Sequence, residues 1–93
     1  MTIVDKQKLR VSESVVSAEL EGEAVLLNVE TGVYFGLDAL GSEIWKHLEQ
    51  GATEDAIFTQ LLQEYEVEAS QLADDLSTFL GLLQEKGLAK RED

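Results

Sequence analysis

The apolar residues of this chain change their spacing once, at Leu37-Asp38, and that single change restricts the fold more than any other feature. Before it the period is two: Val16, Ala18 and Leu20 alternate with Ser17, Glu19 and Glu21, then Val25, Leu27 and Val29 share one face, then Val33 to Leu37 follow. Alternation of this kind is the signature of half-buried strands, and it predicts those apolar sets on the core side. Glu21-Gly22-Glu23 reverses the chain between the first two strands. Glu30-Thr31-Gly32 reverses it again, Gly32 filling the position at φ > 0 that commonly ends a hairpin loop.

After Leu37 the period is 3.6. Asp38 is placed as an N-cap, Leu40, Ile44 and Leu48 form one stripe with Trp45 beside it, and the helix ends near Gly51. Thr53 caps a second helix with Glu54 and Asp55 in its first turn and Ile57, Phe58, Leu61 and Tyr65 directed inward. Ser70 opens a third that runs to about Lys86, closed by Gly87 at C′. Three strands followed by three helices, β-β-β-α-α-α, predict an α+β domain with the helices covering one face of a small antiparallel sheet.

Ninety-three residues are enough for one such domain, expected over 15–89, with an arm at 1–14 that reads as loose chain or a short edge segment and a tail at 90–93. The formal net charge is −12, and between Val11 and Glu85 Lys46 is the only Lys or Arg. Phosphate backbones are bound mainly through Lys and Arg, so this surface argues against nucleic acid. The chain has no cysteine, hence no disulfide framework and no thiolate metal site. No apolar run approaches the ~20 residues of a membrane span, and Met1-Thr2-Ile3-Val4-Asp5-Lys6 lacks the apolar region of a signal peptide. A cytosolic location with no membrane association is the expectation.

The catalytic inventory is sparse. His47 is the single histidine and has no spaced partner for a metal pair, and no Ser-His-Asp or Cys-His set can be assembled. Asp74-Asp75, or Glu64, Glu66 and Glu68, could be drawn as acid/base pairs, yet they sit where solvated polar faces are expected. Phosphate-loop and EF-hand patterns are absent. An enzymatic reading therefore starts low, and no cofactor or metal is expected.

Two features ask for a partner. Val33-Tyr34-Phe35-Gly36-Leu37 is the last strand of a meander and carries none of the charges or prolines that usually blunt an exposed edge. On the third helix Leu72, Leu76, Phe79, Leu80 and Leu83 form one stripe, while Leu82 lies off its edge with Asp75 between Leu82 and Phe79. An added strand from a partner would satisfy the edge, with the helix offering pockets for alternate side chains. The arm at 1–14 or a second copy of the chain would satisfy it equally, and a single surface leucine needs no explanation.

The run "LLNVETGVYFGLDALGSEIW", the helix "DLSTFLGLLQEKGL" and the element order resemble the PqqD-like proteins, peptide chaperones of pyrroloquinoline quinone biosynthesis. The matching positions are Thr31-Gly32, Tyr34-Phe35, Leu37-Asp38, Gly41, Ile44-Trp45, Asp75, Phe79-Leu80, Leu83 and Gly87-Leu88, spread over residues 15–89. The resemblance implies a winged-helix-like domain without activity of its own. It implies binding of the leader segment of a ribosomally synthesised precursor peptide, and presentation to a modifying enzyme such as a radical-SAM protein, a cyclase or a leader peptidase. Carried over by position, the strand that pairs with the leader is Val33, Tyr34, Phe35 and Gly36, and the cleft wall is Asp75, Leu76, Phe79, Leu82 and Leu83. The alternatives are a homodimer formed through the same edge strand, a winged-helix nucleic-acid binder, and a small enzyme using Asp74 or Asp75.

Overall fold

The computed structural model describes residues 9–91. The elements run β1 (Leu9–Val11), β2 (Val15–Leu20), β3 (Glu23–Asn28), β4 (Val33–Gly36), α1 (Ala39–Glu49), α2 (Glu54–Glu64), α3 (Ala69–Glu85) and β5 (Ala89–Arg91). β2, β3 and β4 form an antiparallel meander in that spatial order, followed by the three helices. The α+β fold expected from the change of period is therefore the one adopted, with one addition. β1 pairs antiparallel with β5, Leu9 opposite Arg91 and Val11 opposite Ala89, as a separate two-stranded sheet.

Local chemistry sets the element ends. Glu21 (φ 54°) and Gly22 (φ 85°) are a two-residue loop with both residues in the left-handed region, the turn whose twist matches the flanking strands. The β3–β4 loop holds four residues, Val29 to Gly32, because Asn28 pairs with Val33; Gly32 has φ 77°. Asp38 Oδ1 accepts from the Gly41 N–H at 2.8 Å, and Thr53 Oγ1 accepts from Ala56 N–H at 3.1 Å, so α1 and α2 begin at the expected caps. α3 begins one residue before the expected Ser70, after Glu68, whose side chain makes no capping bond.

The core lies between the sheet and the helices. Ile44, Trp45 and Leu48 of α1, Ile57 and Leu61 of α2, and Leu72, Leu76, Leu80 and Leu83 of α3 meet Leu26 of β3, with Leu9, Leu88 and Ala89 closing the end where β1 and β5 pair. Truncating any one of these leucines to alanine costs about 2–5 kcal/mol when the cavity cannot collapse.

The structure corrects the sequence reading of which sheet face is inside. Ala24, Leu26 and Asn28 are the buried residues of β3, whereas Val25 and Leu27 are half-buried and Val29 is exposed. On β2, Val16 and Leu20 are 54% and 65% exposed. The inner face of β2 is polar because α1 meets it with polar groups: Ser17 Oγ donates to Glu49 Oε2 at 3.2 Å, and Lys46 Nζ lies 3.2 Å from Glu19 Oε2. Tyr65, expected inward, is 41% exposed, its hydroxyl donating to Glu43 Oε1 at 2.8 Å.

Candidate functional site

β4 is an edge strand: among the described residues only β3 pairs with it. Its register settles which backbone groups face outward. The Leu37 N–H donates to the Ala24 carbonyl at 2.8 Å, so Leu37 and Ala24 are a hydrogen-bonded pair that continues the Gly36–Val25 register. Such pairs alternate along an antiparallel ladder. Phe35, opposite Leu26, therefore bonds inward to β3, while Tyr34 and Gly36, opposite Leu27 and Val25, turn their N–H and C=O groups off the free edge. Each offers one donor and one acceptor to an incoming strand.

The other edge, on β2, is guarded differently. Glu19 places a charge on its inner face, a device that discourages strand addition. The segment from Val33 to Gly36 carries no charge.

Two buried polar side chains fix the position of β4. Asn28, 4% exposed, accepts at Oδ1 from the Glu30 and Thr31 N–H groups (2.9 and 3.2 Å) and donates from Nδ2 to the Gly87 carbonyl at 3.2 Å. One side chain thus ties the β3–β4 loop to the end of α3. At the opposite end of the strand, the Ser42 hydroxyl accepts from the Ala24 N–H at 2.7 Å and donates to the Leu37 carbonyl at 3.4 Å. It stands between two groups that would otherwise bond each other, and so joins α1 to the point where β3 and β4 part. Sequence reasoning missed both residues: a buried Asn or Ser in an alternating or helical pattern looks like any surface polar residue.

α3 carries the residues that the sequence reading expects in the cleft wall. Phe79 packs at the start of α1, where a methyl group built on Gly41 would lie 3.4 Å from Phe79 Cε1 and Cζ. Only Leu37 and Asp38 separate β4 from that helix. A Cβ at Gly41 would be in ordinary contact with the ring and would crowd Asp38 Oδ1, at 3.2 Å. Phe79 and Leu82 are half-buried, each keeping part of its apolar surface in solvent, and Asp75 is exposed with its carboxylate accepting from Gln71 Nε2 at 3.0 Å. Leu76 and Leu83, expected in the same wall, are buried in the core, and Leu76 borders a shallow notch with Phe58 and Ala73 on the α2 side. Of the strand residues, Val33, Tyr34 and Gly36 are exposed and Phe35 is half-buried against the core.

The surroundings are acidic. Lys46 is held by Glu19, and Glu43 of α1 accepts from the Tyr65 hydroxyl just past α2. The hydrogen bond with Glu43, then that with Gln60, lowers the Glu64 pKa, while the bond from Tyr65 to Glu43 raises the phenol above its ordinary 10.0. Among the described residues no group of three or more His, Asp or Glu side chains is placed to hold a metal ion, and no helix is long and apolar enough to cross a membrane.

The family model for coenzyme PQQ synthesis protein D (PqqD) matches residues 23–89, from the start of β3 to the start of β5. The chain belongs to the PqqD family. Two solved structures share its fold at high similarity. One is TbiB1 in complex with the TbiA(beta) leader peptide, 44% identical over 86% of this chain and 93% of that one, with a TM-score of 0.83. The other is lasso peptide synthetase B1 complexed with the leader peptide, 27% identical over 88% of this chain and 96% of that one, with a TM-score of 0.81. No match was found among curated protein sequences. The resemblance read from the sequence motifs and the family membership agree. PqqD-like recognition domains are non-catalytic peptide-binding modules, in keeping with the sparse catalytic inventory of this chain.

Proposed function

We propose that this chain binds the leader segment of a ribosomally synthesised precursor peptide as a fourth strand on β4, beside α3, and presents the tethered peptide to a modifying enzyme. The observation that supports this most is the uncharged β4 edge, along which Tyr34 and Gly36 turn their backbone groups outward; in this reading half-buried Phe79 and Leu82 of α3 supply the apolar anchors. Both solved relatives are complexes with leader peptides, which favours the same ligand class here. Main-chain bonds contribute about 0.5–1.5 kcal/mol each, and one or two apolar anchors in the cleft add about 1.5–3 kcal/mol each when fully buried. Ordering a flexible leader costs about 2–5 kcal/mol, so the affinity is moderate and the complex can exchange. The modifying enzyme then meets the core peptide at the high local concentration that tethering provides.

The site residues divide by role. Tyr34 and Gly36 supply the backbone pairing, Phe79 and Leu82 the apolar anchors, and Asp75 a carboxylate that favours a basic or hydrogen-bond-donating leader residue. Leu76 and Leu83 support the wall from the core. Replacing Leu82 with Glu puts a charge where the leader's apolar side chain would sit and is expected to weaken binding by about tenfold or more while the circular dichroism spectrum stays unchanged; Phe79→Glu acts the same way. Leader affinity unaltered in both variants would move the site off α3.

A further inference from the structure

The sheet has a second surface that the leader site does not use. Residues opposite one another in the ladder share a face, and the register places Val16, Leu27 and Tyr34 in one row and Ala18, Val25 and Gly36 in the next, on the side away from the helices. Val16, Leu20 and Tyr34 are 54%, 65% and 69% exposed, with Val25 and Leu27 half-buried between them. An apolar face three strands wide is unusual for a solvated surface, and contiguous patches of this kind mark interaction sites.

Charge selects the occupant. From Val15 to Gly36 the chain has no Lys, Arg or His; exposed Glu23 lies on the face itself, opposite Leu20 at its end, and exposed Glu21 and Glu30 stand at the two turns that bound it. Glu19 is turned to the other side, toward Lys46. Two copies meeting here would bring these carboxylates together at a net charge of −12 each, and an anionic lipid surface or a nucleic acid would be repelled for the same reason. A protein surface with an apolar centre and a Lys/Arg rim fits.

The face is also continuous with the leader edge: Tyr34 directs its backbone off the edge and its side chain onto this face, so a strand added to β4 widens the face by one strand. We propose that the outer face of the β2–β3–β4 sheet is the docking surface for the enzyme that acts on the bound peptide, recognised through Val16, Leu20, Val25, Leu27 and Tyr34. This rests on the leader-binding reading given above. It separates the two tasks in space: β4 and α3 hold the leader, and the outer face holds the enzyme.

The test uses the full chain and a Val16→Thr/Leu20→Thr variant, whose substitutions are at exposed β2 positions, keep strand propensity and leave β4 intact. Each peptide-modifying or peptide-cleaving enzyme encoded beside this chain's gene is purified and its binding to the chain measured by calorimetry at low and high salt, with affinity for the leader of the neighbouring precursor measured in parallel. The expected result is that one enzyme binds the unaltered chain, more weakly at high salt, and that the variant loses about tenfold or more of that affinity with leader affinity unchanged. The proposal is overturned if no enzyme binds the unaltered chain, if the variant binds as well as the unaltered chain, or if the substitutions instead abolish a dimer of this chain. Loss of leader binding by the unaltered chain, with enzyme docking still sensitive to the substitutions, would contradict the leader reading and leave the docking surface standing.

Discussion

Asn28 carries a large share of the local order for one polar side chain, because its three hydrogen bonds join the β3–β4 loop to Gly87, just past the end of α3. In Asn28→Ala the Glu30, Thr31 and Gly87 backbone groups lose their partner together, and the expected cost is about 1–3 kcal/mol in denaturant unfolding, with weaker leader binding because β4 is no longer held in register with α3. Ser42→Ala removes the hydroxyl that joins α1 to the other end of the strand, so the Ala24 N–H loses its 2.7 Å acceptor. The Tyr65–Glu43 bond has a titration signature. The folded phenol has a raised pKa, so its contribution is fully present below the unfolded value near 10.0 and is lost as pH rises through the higher folded value. Absorbance at alkaline pH is expected to show Tyr65 ionising late, and Glu43→Gln should move that ionisation toward 10.0; an unchanged titration would mean the bond does not persist in solution.

At the scale of elements, β4 is the part whose two sides do different work, and proline separates them. Gly36→Pro removes an N–H that points off the edge, at a residue where an added Cβ meets nothing within 4 Å, and proline is tolerated on edge strands when its missing donor faces outward. It is expected to lower leader affinity about tenfold with little change in thermal stability, whereas Phe35→Pro removes a bond to β3 and should destabilise the fold by about 3 kcal/mol or more. Equal effects at the two positions would contradict the register. The three strands of the meander, the helix caps at Asp38 and Thr53, and the bare edge were legible in the sequence, because each follows from residue type and spacing; the short β1–β5 pair was not. The inner face was not. Alternation tells that β2 has two unlike faces, and the apolar one is normally inside; here α1 presents Lys46 and Glu49 to Ser17 and Glu19, and the apolar set turns outward. The exposed face is thus a departure from ordinary patterning, which is where functional surfaces are expected. The split within α3 was half legible: the helical stripe located Leu76, Phe79, Leu82 and Leu83, but only the packing of α2 and α1 separates the buried leucines from the two residues that reach solvent.

For the molecule as a whole, the charge of −12 acts on association more than on fold. It disfavours self-association and favours partners with basic surfaces, so a dilution series at low salt is expected to show monomer, and added salt should weaken enzyme docking more than leader pairing, whose main-chain bonds carry no net charge. A dimer that persists at low salt and disappears in Gly36→Pro would instead assign the β4 edge to a second copy. The division of labour between a strand edge, a helix wall and an outer sheet face depends first on the leader being added to β4. The most direct measurement is a titration of isotope-labelled full chain with the leader of the neighbouring precursor, following backbone amide shifts. Saturable changes at Tyr34 and Gly36 together with the Phe79–Leu82 turn are the predicted result; saturating shifts confined to β2, or none at large peptide excess, would contradict it.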